Sequence, residues 1–227
     1  MTDRPAPRAV LLDIDGTLID SNDAHARSWV ETFAEFGYDV SFETVRPLIG
    51  KGGDKLLAET VGVEEDSDEG KRMSKRRRER FLADYLPTLR PFPKARTLVE
   101  RMRADGLTVV VATSANEDEM TPLLERAGVA DLVEAATSSS DAERSKPDPD
   151  IVKAALDRGG HPARATIMLG DTPYDIEAAR RAGVAVIAFR CGGWWKDEDL
   201  AGALAIYDGP ADLLAHLDRS PLAGNGR

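Results

Sequence analysis

The chain predicts an α/β fold built on one doubly wound parallel sheet, and three observations lead there. Short aliphatic runs recur along it, amphipathic helical stretches alternate with them, and most of those stretches close on glycine. Continuous apolar runs suit strands buried on both faces, as in a parallel sheet. Alternation of strand and helix is the pattern of a sheet covered by helices on both sides.

The first run, "AVLL", stops abruptly at Asp13, and Asp15-Gly16 follow at once. Five more runs come later: "LTVVVAT" (107–113), "DLVEAAT" (131–137), "ATIMLGD" (165–171), "VAVIAF" (184–189) and "ALAIYD" (203–208). Between them, "PKARTLVERMRADG" puts Ala95, Leu98, Val99 and Met102 at helical spacing and reaches a C-cap glycine at Gly106. "DEMTPLLERAGV" and "DPDIVKAALDRGG" also end in glycine. "TPYDIEAARRAGV" opens on Thr172 and Pro173, an N-cap followed by an N1 proline.

From about residue 21 to 89 the alternation stops. Helical patterns over 24–36, 42–49, 54–61 and 71–86 predict an all-helical insertion, and Pro87, Pro91 and Pro93 mark a stiff return linker. The expected division is residues 1–19 and 90–227 in the sheet domain and 20–89 in the insertion. The closing "PLAGNGR" reads as a frayed tail.

A net charge of -10 argues against broad binding to nucleic acid or a membrane surface. It leaves anionic substrates open, because the field of a site is local. Cys191 is the single cysteine, so no internal disulfide forms and a reducing compartment suits the chain. Neither a secretory signal nor an apolar run of about 20 residues is present. The expectation is a soluble cytoplasmic protein with no membrane or nucleic-acid partner. Oligomeric state is left open.

In an open parallel sheet, ligands bind beyond the carboxyl ends of the strands, where the strand order reverses. Asp13, Asp15, Thr113, Ser114 and Asp171 fall at those ends, and Ser145-Lys146-Pro147 precede the fourth strand. Residues two apart in extended chain point the same way, so Asp13 and Asp15 share a pocket while Ile14 turns inward. Neighbouring carboxylates repel unless a cation intervenes. A hard ion such as Mg²⁺ favours carboxylates, waters and phosphate oxygens. Lys146 and the hydroxyls complement a phosphate, and Pro147 biases Lys146 toward an extended backbone. Each motif also has a plainer reading. Asp-Ile-Asp-Gly makes a polar turn, Thr113 caps a turn, Asp171 and Lys146 are solvated, and Thr172 with Asp175 is a capping box.

Asp13-Ile14-Asp15-Gly16-Thr17-Leu18, Thr113 after its strand, Lys146-Pro147, and Gly170-Asp171-Thr172-Pro173-Tyr174-Asp175 together resemble the four ordered motifs of the haloacid dehalogenase-like hydrolases. The match covers nearly the whole chain, and the insertion falls where that family carries a helical cap. The resemblance implies a Rossmann-like sheet in the order 3-2-1-4-5-6. It implies Asp13 as nucleophile and Asp15 as general acid and base. Mg²⁺ would be held by Asp13, the main-chain carbonyl of Asp15, and Asp171. Thr113 and the backbone around Ser114 and Ala115 would bind phosphoryl oxygens. Lys146 would offset charge, and Asp175 would support the metal through water or position Lys146.

In the insertion, His25 resembles a cap histidine of β-phosphoglucomutase-like members, and it equally suits a surface helix. Lys51, Gly52 and Gly53 sit in a loop that is either a selector of the leaving group or a flexible turn. "KRMSKRRRER" has seven basic residues in ten, yet it reads better as a solvated helix with local charge pairs than as a nucleic-acid patch. Trp194 and Trp195 read as packing residues, and Cys191 as inert.

The expected function is Mg²⁺-dependent hydrolysis of a small phosphorylated metabolite through an aspartyl-phosphate, and resemblance of the cap to the phosphoglycolate phosphatase and β-phosphoglucomutase-like group implies a phosphoglycolate-like or sugar-phosphate substrate. A β-phosphoglucomutase-like mutase is the first alternative, weakened because "GKGG" offers Lys51 where that group carries an arginine. Asp15 argues against a dehalogenase, and the intact acids argue against a non-catalytic binding protein.

Overall fold

The structure, a computed structural model, describes residues 5–223. Six parallel strands form one sheet: β1 Ala9–Leu12, β2 Thr108–Ala112, β3 Ala135–Thr137, β4 Thr166–Gly170, β5 Ala185–Phe189 and β6 Ala205–Tyr207. Their order is β3-β2-β1-β4-β5-β6, as expected. Leu12 lies opposite Val111 of β2 and Leu169 of β4. The order therefore reverses around β1, and Asp13 follows directly at the centre of the carboxyl edge.

Both faces of the sheet are covered, which is why β1 is uniformly apolar. Val10, Leu12, Val111 and Leu169 pack against Leu98 and Met102 of α5 (Ala95–Ala104) and Leu123 of α6 (Glu117–Ala127). On the other face Leu11, Val110 and Met168 meet Ile151 and Val152 of α7 (Asp150–Gly159) and Ala178 and Ala179 of α8 (Pro173–Arg181). Each fully buried Leu or Ile contributes roughly 1.5–3 kcal/mol.

Between β1 and β2 come α1 (Asn22–Glu35), α2 (Phe42–Val45), α3 (Gly53–Val61) and α4 (Asp68–Arg80). They bury a cluster of their own in which Ala26, Trp29 and Phe33 meet Val45, Leu56, Leu57 and Met73. The outgoing and returning connections lie side by side: Asp20 N–H donates to Arg90 O at 3.0 Å, and Phe92 N–H to Leu18 O at 3.0 Å.

Several limits differ from expectation, each for a local reason. The helix expected over 42–49 is α-helical only to Val45 and continues as a 3-10 turn over Arg46–Leu48. Pro47 has no N–H to give a full helical turn. The helix expected from residue 71 starts at Asp68, because Ser67 caps Gly70 N–H at 3.0 Å with Asp68 and Glu69 in the first turn. It passes at Phe81–Tyr85 into a π-helical turn. The third strand is shorter than "DLVEAAT", since Ala130–Leu132 continue the turn that follows the left-handed Gly128. A last helix, α9 (Pro210–Ala215), was not anticipated. The expected frayed tail is corrected at its start: Pro221–Ala223 form a turn that buries Leu222 in the core. Residues 224–227 lie outside the described residues.

Candidate active site

Asp13 continues the sheet by one hydrogen bond, its N–H donating to Leu169 O at 3.0 Å. The chain then folds on itself: Thr17, Leu18 and Ile19 N–H converge on Ile14 O at 3.2, 2.8 and 3.3 Å, and Ile14 is wholly buried. Gly16 makes this turn at φ +74, where a Cβ would fall 2.1 Å from Asn22 Nδ2 and 2.2 Å from Asp171 Oδ2.

The two acids then part company. Asp13 Oδ1 receives Lys146 Nζ at 2.6 Å, and Oδ2 receives Thr17 Oγ1 at 3.2 Å. Asp15 Oδ1 receives Ser21 Oγ at 2.5 Å and His25 Nε2 at 2.7 Å. Burial pushes Asp13 up to about 7, with Lys146 opposing and Asp175 and Asp15 adding to the rise. Burial also works on Asp15, but His25, Ser21 and Arg77 outweigh it and hold the carboxyl below its ordinary value.

Lys146 is buried between two carboxylates, 2.6 Å from Asp13 Oδ1 and 2.8 Å from Asp175 Oδ1. Burial would lower its pKa, yet the two acids overcome that and raise it. The bond from Lys146 to Pro147 is cis. Asp175 serves two purposes at once. Its Oδ2 accepts from Thr172 N–H at 3.0 Å and Oγ1 at 2.7 Å in a capping box, while Oδ1 faces Lys146.

Asp171, at the end of β4, is held by Asn22 Nδ2 at 2.8 Å. Burial, reinforced by Asp175 and Asp13, drives its pKa well above its ordinary value. Carboxylate oxygens of Asp13, Asp171 and Asp175 lie within 4.8 Å of one another. The donor set is all hard oxygen, crowded and buried, and it fits Mg²⁺. The side chain of Asp15 stands outside this cluster, engaged by His25.

Thr113 is buried at the end of β2, and its Oγ1 caps Ala115 N–H at 3.0 Å, so the capping reading is present. Ser114 Oγ donates to Gly50 O at 3.2 Å across to the helical insertion. Gly52 N–H donates to Ser145 Oγ at 3.0 Å. Lys51 lies 2.6 and 2.8 Å from the two oxygens of Glu59 and over the Tyr174 ring. Asp13, Asp15, His25, Lys51, Gly52, Gly53, Thr113, Ser114 and Ala115 all line one pocket.

His25 is buried and stacked on Phe81 with centroids 4.0 Å apart, which removes its surface-helix reading. Its Nδ1 faces the guanidinium of Arg77. Arginine only donates, so Nδ1 accepts and the ring proton sits on Nε2, directed at Asp15. Arg77 in turn pairs with Glu119 at 2.5 Å and donates from Nε to Ser28 Oγ at 3.2 Å. Asp15, His25, Arg77 and Glu119 thus form a chain from β1's loop through α1 and α4 to α6.

Arg77, Glu119, Ser21 and Asn22 were not singled out from the sequence. A signal existed for Arg77: it lies midway between Met73 and Phe81 at four-residue spacing, and all three are buried. Of the six other basic residues of "KRMSKRRRER", Lys75 pairs within the helix with Glu79 at 3.9 Å, and three reach across to α1 and α6 rather than to the acids preceding them. Arg76 and Arg80 meet Glu35, and Arg78 meets Asp118. Trp195 packs edge-on to Tyr174, while Trp194 lies over Arg46. Burial, aided by Asp171, pushes the Cys191 thiol up, away from the reactive thiolate.

Comparison with known proteins agrees with this arrangement. The family model for haloacid dehalogenase-like hydrolases matches residues 10–189, and the chain belongs to that family. Within it the chain is a phosphatase. It is 32% identical over 217 residues to a phosphoglycolate phosphatase of Rhodospirillum rubrum, covering 91% of this chain and 89% of the relative. It is 28% identical over 216 residues to the N-acetylmuramic acid 6-phosphate phosphatase of Pseudomonas aeruginosa, covering 94% and 96%. The crystal structure of a hydrolase from Pseudomonas syringae superposes with a TM-score of 0.85 at 28% identity, covering 93% of this chain and 98% of that one. Among the described residues, no helix is long and apolar enough to cross a membrane.

Proposed function

We propose that the protein hydrolyses a small phosphorylated metabolite in two steps at the carboxyl edge of β1, with Mg²⁺ as cofactor. The observation that carries the reading is the separation of the two acids: Asp13 on Lys146 at 2.6 Å and Asp15 on His25 at 2.7 Å. An oxygen of Asp13 attacks phosphorus, and the bond to the leaving alcohol breaks as Asp15 gives that alcohol a proton. Asp15 then takes a proton from water, the water attacks the aspartyl-phosphate, and phosphate leaves with Asp13 restored. The first step needs Asp15 as the acid and the second needs it as the carboxylate, and His25 favours the carboxylate.

Asp13, Asp171 and the main-chain carbonyl of Asp15 would hold Mg²⁺, which neutralises phosphoryl charge. Asp175 meets Lys146 with Oδ1 while Oδ2 caps α8, and it acts behind Lys146. Thr113, with the backbone at Ser114 and Ala115, binds phosphoryl oxygens. His25 positions Asp15, and Lys51, Gly52 and Gly53 face the leaving group. The division into a sheet domain (1–19 and 90–227) and a helical cap (20–89) is part of this proposal. The separate apolar cluster of the helices and the paired connections support it. A cytoplasmic location fits the same reading. Lys51, tied to Glu59, is a poor counterpart for the second phosphate a mutase must hold.

The test is phosphate release from p-nitrophenyl phosphate and a metabolite panel with Mg²⁺ or with EDTA. Turnover is expected only with the metal and should drop at least about 10³-fold in Asp13→Asn. Retained activity in that variant would overturn the assignment of the nucleophile.

A further inference from the structure

Beyond the reacting acids, the pocket is walled by Trp29, Ile49, Leu56, Glu65, Arg77 and Glu119. Its two nearby cations are already committed. Lys51 Nζ contacts both oxygens of Glu59. Each of the three nitrogens of Arg77 has a partner, in Ser28, Glu119 and His25.

Glu65 is the opposite case. It is half-buried, receives one long hydrogen bond from Ser74 Oγ at 3.3 Å, and pairs with no cation among the described residues. Its carboxyl lies against Gly53, where a Cβ would come within 2.6 Å of Oε1, so the glycine makes room for it. Burial and the charge of Asp54 raise its pKa, and Ser74 only partly offsets them. An under-satisfied carboxylate of this kind is stabilised by a hydroxyl donor and destabilised by a second anion.

We propose that this end of the pocket selects a leaving group that is an uncharged, hydroxyl-bearing alcohol, as in a polyol or sugar phosphate, and discriminates against one that carries a carboxylate. The inference rests on the phosphatase reading above. Glu65 accepts a hydroxyl proton of the leaving group. Trp29 and Leu56 cover its carbon skeleton. A carboxylate in the same place would face Glu65, with no unpaired cation among the described residues that line the pocket to receive it.

Two matched substrate pairs test this: 2-hydroxyethyl phosphate against 2-phosphoglycolate, and glycerol 3-phosphate against 3-phosphoglycerate. Each pair exchanges a CH₂OH group for a carboxylate and little else. The alcohol of each pair is expected to have a kcat/KM at least about ten-fold above its acid. Glu65→Gln should narrow that ratio and Glu65→Lys should invert it. A ratio taken within one variant does not depend on how much of the protein is folded. Equal or higher kcat/KM for the acids in the wild type, or ratios unmoved in both variants, would overturn the inference while leaving phosphatase activity standing. No turnover of p-nitrophenyl phosphate with Mg²⁺ would instead bring down the phosphatase reading and this inference with it.

Discussion

Replacing Arg77 with Met tests the polar chain that joins α4 to the site. The guanidinium is buried, with side-chain exposures of 9% for Arg77 and 3% for its partner Glu119. Met retains an unbranched apolar stem against Trp29 and Phe81, whose ring centroids lie 5.4 and 5.0 Å from the guanidinium carbon. What is lost is the charge. Breaking a buried ion pair by removing one partner costs about 3–5 kcal/mol, because the other charge is stranded. The two cation–π contacts are worth about 0.5–2 kcal/mol each, and part of that overlaps with the ion-pair loss. A total of about 3–5 kcal/mol is a large share of the about 5–15 kcal/mol that stabilises a typical domain.

Urea unfolding followed by circular dichroism would read this as a lowered midpoint. Arg77→Met/Glu119→Gln should recover at least about 1 kcal/mol relative to the sum of the single variants, since it removes the stranded charge. A cost below about 1 kcal/mol for Arg77→Met, or strict additivity in the double variant, would refute the account of a charge-balanced link.

Three further outcomes follow from the same geometry. Asp13, raised to about 7, and Asp171, raised well above its ordinary value, hold protons more tightly when folded than when unfolded. For Asp13 the stability this brings is complete below the ordinary 3.8 and is lost as pH rises through about 7. Metal-free protein should therefore melt lower at pH 8 than at pH 5, and Mg²⁺ should raise Tm more at pH 8. Equal Mg²⁺ shifts at both pH values would contradict this. Gly16→Ala puts a methyl 2.1 Å from Asn22 Nδ2 and 2.2 Å from Asp171 Oδ2 at φ +74. It should cost at least about 1 kcal/mol and most of the turnover, and a variant with wild-type kcat would count against the close fit. His25→Ala frees Asp15 from its 2.7 Å contact. It should lower kcat about 10–100-fold with a smaller change in KM, read from initial rates. An unchanged kcat would remove His25 from the positioning of Asp15.

What the sequence determined is what periodicity and local chemistry encode. The apolar runs set six strands, and the four central ones, β1, β2, β4 and β5, are buried because only strands covered on both faces are apolar at every position. Asp13, Thr113 and Asp171 were legible because they end such runs. Thr172-Pro173 marked the start of α8 by its own hydrogen bonding. The helical insertion was legible as a break in alternation, but its limits moved wherever a cap or a proline intervened, at Ser67 and Pro47.

Tertiary structure decided which partner each acid keeps. Asp13 and Asp15 are two residues apart and point into one pocket, yet Lys146 claims one and His25 the other, and their pKa values move in opposite directions. The partners come from residues 133 and 10 positions away, so no local pattern could assign them. Arg77 shows the same limit from the other side. In the chain it is one basic residue among seven, and only the packing of α4 against α1 buries it. A buried charge must be paired to be tolerated, and the pairs that meet this need for Arg77 are made by residues the sequence keeps 42 and 52 positions away.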